Sequence, residues 1–236
     1  MPEDEGPHVF ETKKVERIGD NLFVFYGAAR VRRIARINRN MVVIRHNKRE
    51  LTLVNPVRLC AEGEKKLLEL GQVERIIRLS PAHGASHDKY YLQRFPNVRR
   101  WSPAASGDIP CHRLLSEDDD AILPHCHIFC FRDVPECALV ILQDYVGNLL
   151  VTGEALQSQR NNPFVNMPVR TKMGAQGLLQ TEIVVPHHWR DKSRKEDFDY
   201  LLRLDFERLI GASGVMVHQR AKEETVIAVE YAFPSW

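Results

Sequence analysis

The residues best suited to chemistry in this chain lie between Ile76 and Asp88. Ile76-Ile77-Arg78-Leu79 reads as a short apolar strand. It runs into a loop, Ser80-Pro81-Ala82-His83-Gly84-Ala85-Ser86-His87-Asp88, that carries two imidazoles and a carboxylate, and a helical Lys89-Tyr90-Tyr91-Leu92-Gln93-Arg94-Phe95 follows. Imidazole nitrogens and carboxylate oxygens are the ordinary ligands of zinc, and an ion held by them turns bound water into a nucleophile near neutral pH. The end of a strand suits such a group, because the sheet holds side chains rigid while they converge on a crevice. The same residues also have purely structural uses: His83 can cap the loop, and Asp88 is favoured by the dipole at a helix start.

A second cluster, His125-His127 with Cys126 and Cys130, has zinc-type residues in a strand. Alternation along a strand sends His125 and His127 to one face and Cys126, Ile128 and Cys130 to the other, so the four cannot converge on one ion. The adjacent His187 and His188 diverge for a related reason. The sequence has no Gly-rich phosphate loop, no Gly-x-Ser-x-Gly elbow and no cysteine with an assignable base, which argues against those chemistries.

The elements that must position the first cluster can be read from local pattern. Aromatic and β-branched residues at 21–26 predict a strand, and 41–45 and 51–54 predict a hairpin stopped by Asn55-Pro56. Residues 62–70 predict a helix closed by Gly71, residues 73–79 the strand that feeds the candidate loop, and 98–101 a further short strand. Strands at 125–131, 138–143 and 148–152 read as a meander, with Val146-Gly147-Asn148 as one turn. Phe198, Leu201, Leu202, Phe206, Leu209 and Ile210 recur at helical spacing, which predicts one helix ended by Gly211. A short strand at 215–217 and a helix over 221–233 complete the chain. Two stretches are candidate contact surfaces: the arginine-rich 30–39, with Val31, Ile34 and Ile37 expected to face inward, and the polar connection 158–172, a candidate lid or partner loop. The acidic run at 117–120 reads as solvated.

The 236 residues fit one large domain, expected over 19–236 after an N-terminal extension at 1–18. Lysine and arginine number 33 against 31 acidic residues, a net charge of +2, so no global field draws in nucleic acid and no specific nucleic-acid partner is expected. Five scattered cysteines suit reduced thiols better than a disulfide framework. The first residues lack a signal-peptide pattern, and no apolar run is long enough to span a bilayer. The expectation is an intracellular protein, cytoplasmic or organellar, that is not secreted and not membrane-spanning.

The order of elements and four local strings resemble the metallo-β-lactamase fold. They are the hairpin ending Leu51-Thr52-Leu53-Val54-Asn55-Pro56, the stretch from Ile77 to Asp88, Leu149-Leu150-Val151-Thr152-Gly153-Glu154-Ala155-Leu156, and Leu209-Ile210-Gly211-Ala212-Ser213-Gly214-Val215. The resemblance implies an α/β (α+β) chain folded as a four-layer αββα sandwich, and a zinc-dependent hydrolase site on its rim. The family's His-x-His-x-Asp-His loop is matched incompletely. In one register only His83 coincides with a ligand, with Pro81, Ala85 and Ser86 at the others. In a second register His83 is the first histidine and His87-Asp88 stands, in reversed order, where Asp-His is expected.

Further along, Glu154 stands in for the bridging Asp and Ser213 replaces the last histidine. The resemblance therefore implies a degenerate site formed by His83, His87, Asp88, Glu154 and Ser213, with no catalytic residue and no cofactor. The expected role is that of a binding or structural component of a larger assembly with protein partners. The alternative is a hydrolase holding one zinc or other divalent ion on His83, His87, Asp88 and Glu154.

Overall fold

Apolar runs in both halves of the chain pair into two β-sheets. The computed structural model describes residues 8–31, 34–46, 49–80, 85–104, 109–117, 125–143, 146–190 and 194–234, with Ala85 described for its backbone only. The first sheet has seven strands in sequence order: β1 (Glu11–Gly19), β2 (Leu22–Val31), β3 (Ala35–Arg45), β4 (Glu50–Val54), β5 (Gln72–Ile77), β6 (Arg99–Ser102) and β7 (Arg113–Leu114). β1 to β4 are antiparallel; β4 to β7 are parallel, the first two of these connections being made by α1 (Ala61–Leu70) and α2 (Ala85–Arg94). The second sheet pairs β8 (Cys126–Cys130), β9 (Cys137–Ile141) and β10 (Leu149–Thr152) as an antiparallel meander and adds β11 (Arg208–Ile210) parallel to β10.

Side-chain alternation then divides the core into three layers. Leu22, Val24, Tyr26, Val42, Val54 and Ile77 from the first sheet meet Leu139, Ile141, Leu149 and Val151 from the second, forming the inter-sheet core. The opposite face of the first sheet buries Phe25, Met41, Leu53 and Ile76 against Leu67 of α1 and Tyr91 of α2. The opposite face of the second buries Val140, Leu150 and Leu209 against Trp189 of α4 (His187–Arg190), Phe198 of α5 (Lys195–Leu201) and Ala228 of α6 (Ala221–Ala232). Helices outside two facing sheets are the expected αββα sandwich. A further helix, α3 (Met167–Ala175), lies between β10 and α4 in sequence. Among the described residues no helix is long and apolar enough to cross a membrane.

Several local expectations need correction. Residues 11–18, read as part of an extension, belong to β1, and Phe10 is 1% exposed in the core. The single helix expected over 198–210 is instead the short α5, a turn and β11. Leu209 and Ile210 do serve opposite faces, but of a strand, one toward the helices and one toward the other sheet. No strand forms at 215–217, where Val217 makes only an isolated bridge to Leu209. Ile34, expected inside, is 71% exposed. Gly71 follows α1 as expected, but its backbone is extended, and the need for glycine is steric, since a Cβ there would overlap the carbonyl of Arg49.

The connection 158–172 is not a loose lid. Ser158, Gln159 and Asn162 are buried, Phe164 stacks on Tyr26 at 5.1 Å, and Asn166 accepts from the Arg36 N–H and donates to the Ile34 carbonyl.

Candidate functional site

The ends of β4, β5 and β10 meet at one asparagine. Asn55 adopts the left-handed conformation (φ 52°), which a short polar side chain tolerates, and Pro56 stops the strand from continuing. Its Oδ1 accepts from the Leu79 N–H at 3.1 Å, its Nδ2 donates to the Thr152 carbonyl at 3.0 Å, and its own N–H donates to the Ile77 carbonyl. The cleft that opens beside it, of about 220 Å³, is lined among others by Phe10, Arg39, Arg78, Ser80, His87 and Glu154.

Four of the five sequence-derived site residues can be placed; His83 lies outside the described residues. Asp88, in the first turn of α2, is 0% exposed and clasped by two arginines. Its Oδ1 accepts from Arg78 Nε at 3.1 Å and Nη2 at 2.5 Å, and its Oδ2 accepts from Arg100 Nε at 2.8 Å. Arg78 leaves the end of β5 and also donates to the Pro56 carbonyl, while Arg100 sits within β6 and is itself fully buried. The carboxylate thus bridges β5, α2 and β6.

His87 lines the cleft edge-on to Phe10, with ring centroids 5.6 Å apart. Its Nδ1 accepts the Arg58 backbone N–H at 3.2 Å, so the neutral ring carries its proton on Nε2. Burial, reinforced by the nearby Arg78 guanidinium, lowers its pKa to about 4.

Glu154 follows β10. Its Oε1 accepts from Arg39 Nη1 at 3.0 Å and its Oε2 from Gln157 Nε2 at 3.0 Å. It does not begin a helix. Its backbone N–H and that of Ala155 donate instead to one oxygen of Glu136, at 2.7 and 2.8 Å. Glu136 is 1% exposed, and burial, with the Glu154 charge adding to it, raises its pKa to about 8. Sequence reasoning missed Glu136 because Pro135-Glu136 reads as an ordinary turn before an apolar strand. The signal was Gly153, where a Cβ would stand 2.6 Å from the Ser80 Cβ and 2.8 Å from that carboxylate.

Ser213 is buried in a network of side-chain amides that reaches the Glu154 carboxylate through Gln157. Its Oγ donates to Gln157 Oε1 and accepts from Gln159 Nε2, and Gln159 Oε1 accepts from Asn162. Asn162 donates in turn to Asn38 on β3, whose neighbour Asn40 holds the carbonyls of Gly211 and Gly214. These amides were not anticipated, since isolated Asn and Gln residues carry no spacing signal.

The described donors are already engaged by groups of the protein. Both oxygens of Asp88 are taken by guanidinium groups within the core, the Glu154 oxygens face Arg39 and Gln157, and the His87 lone pair accepts a backbone N–H. Among the described residues, no group of three or more His, Cys, Asp or Glu side chains is arranged to hold one. What the arrangement offers is a polar cleft walled by fixed ion pairs.

No protein-family description and no curated protein sequence matches the chain. Solved structures do. VMB-1, determined at pH 5.5, is 11% identical with a TM-score of 0.64, covering 96% of this chain and 99% of its own. The metallo-β-lactamase FIM-1 from Pseudomonas aeruginosa, in a mono-zinc form, is 10% identical with a TM-score of 0.63 and coverage of 98% and 100%. A metallo-β-lactamase from Hirschia baltica is 12% identical with a TM-score of 0.60 and coverage of 94% and 99%. At these identities the likeness is one of fold.

Proposed function

We propose that this chain, which has the metallo-β-lactamase fold, works without a metal centre, as a binding or structural component of a protein assembly and not as a hydrolase. The observation that carries the reading is the Asp88 carboxylate buried between Arg78 and Arg100, with Arg39 against Glu154 beside it. Guanidinium groups stand against the acidic side chains that a metal-dependent member would turn toward cations. The one-metal alternative on His83, His87, Asp88 and Glu154 would require Asp88 and Glu154 to leave their arginines and His87 to release its backbone donor. Each step exposes a buried charge or polar group at a cost of about 1–5 kcal/mol.

The partner surface follows from joining the two candidate stretches. Asn166 ties 158–172 to the start of β3, which brings them onto one rim, with Ile34 and Met167 71% and 72% exposed beside it. Apart from Arg39, which pairs with Glu154 in the cleft, the two stretches hold seven basic residues in sequence and no acidic one: Arg30, Arg32, Arg33 and Arg36, then Arg160, Arg170 and Lys172. That composition suits an acidic protein surface. An intracellular location goes with this reading, on the strength of the odd and scattered cysteines.

The decisive experiment is zinc, manganese and iron analysis of the purified chain, followed by calorimetric titration with zinc. We expect occupancy well below one equivalent, unchanged in Glu154→Gln. Near-stoichiometric metal that disappears in His87→Ala or Glu154→Gln would overturn the proposal. For the partner surface, polyglutamate is expected to bind in a salt-dependent manner and to be lost in Arg30→Glu/Arg170→Glu. Preference for a duplex nucleic acid of equal charge would overturn the protein assignment.

A further inference from the structure

Cys130 and Cys137 face each other where β8 enters its hairpin and β9 leaves it. Their sulfurs are 2.9 Å apart. In an antiparallel ladder, opposed residues alternate between pairs that exchange backbone hydrogen bonds and pairs that do not. The Cys137 N–H donates to the Leu79 carbonyl at 2.8 Å and the Cys130 N–H to Glu117 Oε1 at 3.1 Å, whereas the next pair outward is joined by the Phe131 N–H to the Glu136 carbonyl. Cys130 and Cys137 are therefore a non-hydrogen-bonded pair, the kind whose Cα atoms approach to about 4.5 Å. A disulfide spans Cα separations of about 4.4–6.8 Å, so side-chain rotation alone can close the bond.

The two thiols differ in a useful way. Cys137 is 1% exposed, while Cys130 is partly exposed at the margin of the inter-sheet core. The hydrogen bond with Cys130, together with burial, pushes the Cys137 thiol well above its ordinary pKa. It keeps its proton until the Cys130 sulfur has reacted.

We infer that Cys130 and Cys137 form a reversible intrachain disulfide, a modification site apart from the cleft, with a low-molecular-weight disulfide such as oxidised glutathione as the oxidant. The Cys130 thiolate attacks one sulfur of the glutathione disulfide, whose S–S bond breaks and releases one glutathione thiolate with the bonding pair. The Cys137 sulfur then loses its proton and attacks the Cys130 sulfur, expelling the second glutathione thiolate. The two departing thiolates take up the two protons that the cysteines gave up. Two protein thiols are oxidised by two electrons, and one glutathione disulfide is reduced to two thiols.

The location gives the bond a reach beyond its own hairpin. Glu136, which holds the Glu154 and Ala155 N–H groups, is the residue before Cys137, and the Cys137 N–H holds the Leu79 carbonyl just before Ser80 in the cleft wall. Closing the disulfide fixes both attachments of the cleft floor.

The test uses the folded full-length chain equilibrated in glutathione buffers from reducing to oxidising poise, quenched by alkylation, and mapped by mass spectrometry without reduction. The five thiols are expected to fall to three, with one cross-linked peptide joining Cys130 to Cys137, reversed by dithiothreitol. Cys130→Ser removes the cross-link. Cys137→Ser instead traps a mixed glutathione disulfide on Cys130. Folded wild-type protein that keeps all five thiols at oxidising poise, or that links Cys60, Cys111 or Cys126 in their place, would overturn the inference, and this reading of the wild type does not depend on how either variant folds.

Discussion

Replacing Asp88 with Asn separates a charge-pairing role from a metal-ligand role. The side chain keeps its shape and loses its charge, which leaves the buried guanidinium groups of Arg78 and Arg100 without their shared anion. Its new NH₂ group must also turn toward one of them. Breaking a buried ion pair on one side costs about 3–5 kcal/mol, because the remaining charge stays desolvated. Against a total stability on the order of 5–15 kcal/mol that is a large share, and at about 2–4 °C per kcal/mol for a domain of this size it lowers the melting temperature by about 6–20 °C. Urea unfolding followed by circular dichroism, with thermal melts of the metal-free protein, measures both quantities. A metal-binding carboxylate behaves in the opposite way, since clustered ligands repel one another in the apo state and removing one leaves stability unchanged or higher. An Asp88→Asn protein within about 1 kcal/mol of wild type, or more stable than it, would refute the account given for Arg78 and Arg100.

Two other substitutions probe the turn beneath Glu154. Glu136 has a folded-state pKa raised to about 8 from 4.5, so the folded state binds more protons than the unfolded state between those values, and stability falls as pH rises through that window. Glu136→Gln keeps an acceptor for the Glu154 and Ala155 N–H groups and removes the titration. Its stability is expected to equal that of wild type below pH 4.5 and to exceed it by up to about 5 kcal/mol above pH 8, measured by denaturant midpoints across pH; parallel pH profiles would count against a buried, titrating Glu136. Gly153→Ala places a methyl group 2.6 Å from the Ser80 Cβ and 2.8 Å from Glu136 Oε1, neither of which is free to retreat. A loss of about 1–3 kcal/mol in chemical denaturation is expected, and no loss would mean that the turn is not held where Glu136 holds it.

Much of the fold was legible because strands here announce themselves locally. Phe23, Val24, Phe25 and Tyr26, and then Met41, Val42 and Val43, are β-formers between turn residues, and Asn55-Pro56 marks where β4 must stop. What failed was the reading of period. Phe198, Leu201, Leu202, Phe206, Leu209 and Ile210 have helical spacing in sequence, yet Leu209 and Ile210 pair with Leu150 and Val151, because a parallel edge beside β10 satisfies their backbone and serves both faces. The site failed differently. His87, Asp88 and Glu154 stood out in the sequence, but the groups they contact in the fold come from elsewhere. Arg100 lies 12 residues from Asp88 on a strand, and Arg39 lies 115 residues from Glu154. Nothing in the string shows that an arginine in Val98-Arg99-Arg100-Trp101 points into the core while its neighbour Arg99 points out.

Those partners also explain how the scaffold holds together around its cleft. In a metal site the ion does structural work, pulling ligands from separate strand ends onto one point and contributing its binding energy to folding. Here the same segments are tied by fixed charges: Arg78 and Arg100 draw the end of β5, the start of α2 and β6 onto Asp88, and Arg39 draws β3 onto the turn after β10 through Glu154. A guanidinium is a planar cation with several directed donors, so it can bridge carboxylates and carbonyls much as an ion does, without an open coordination position for water. Stability of the cleft then depends on side chains that are always present. It follows that a chelator should leave the melting temperature unchanged while Asp88→Asn lowers it, and a chelator-sensitive melt would place the cross-linking energy in a cation instead of in Arg78, Arg100 and Arg39.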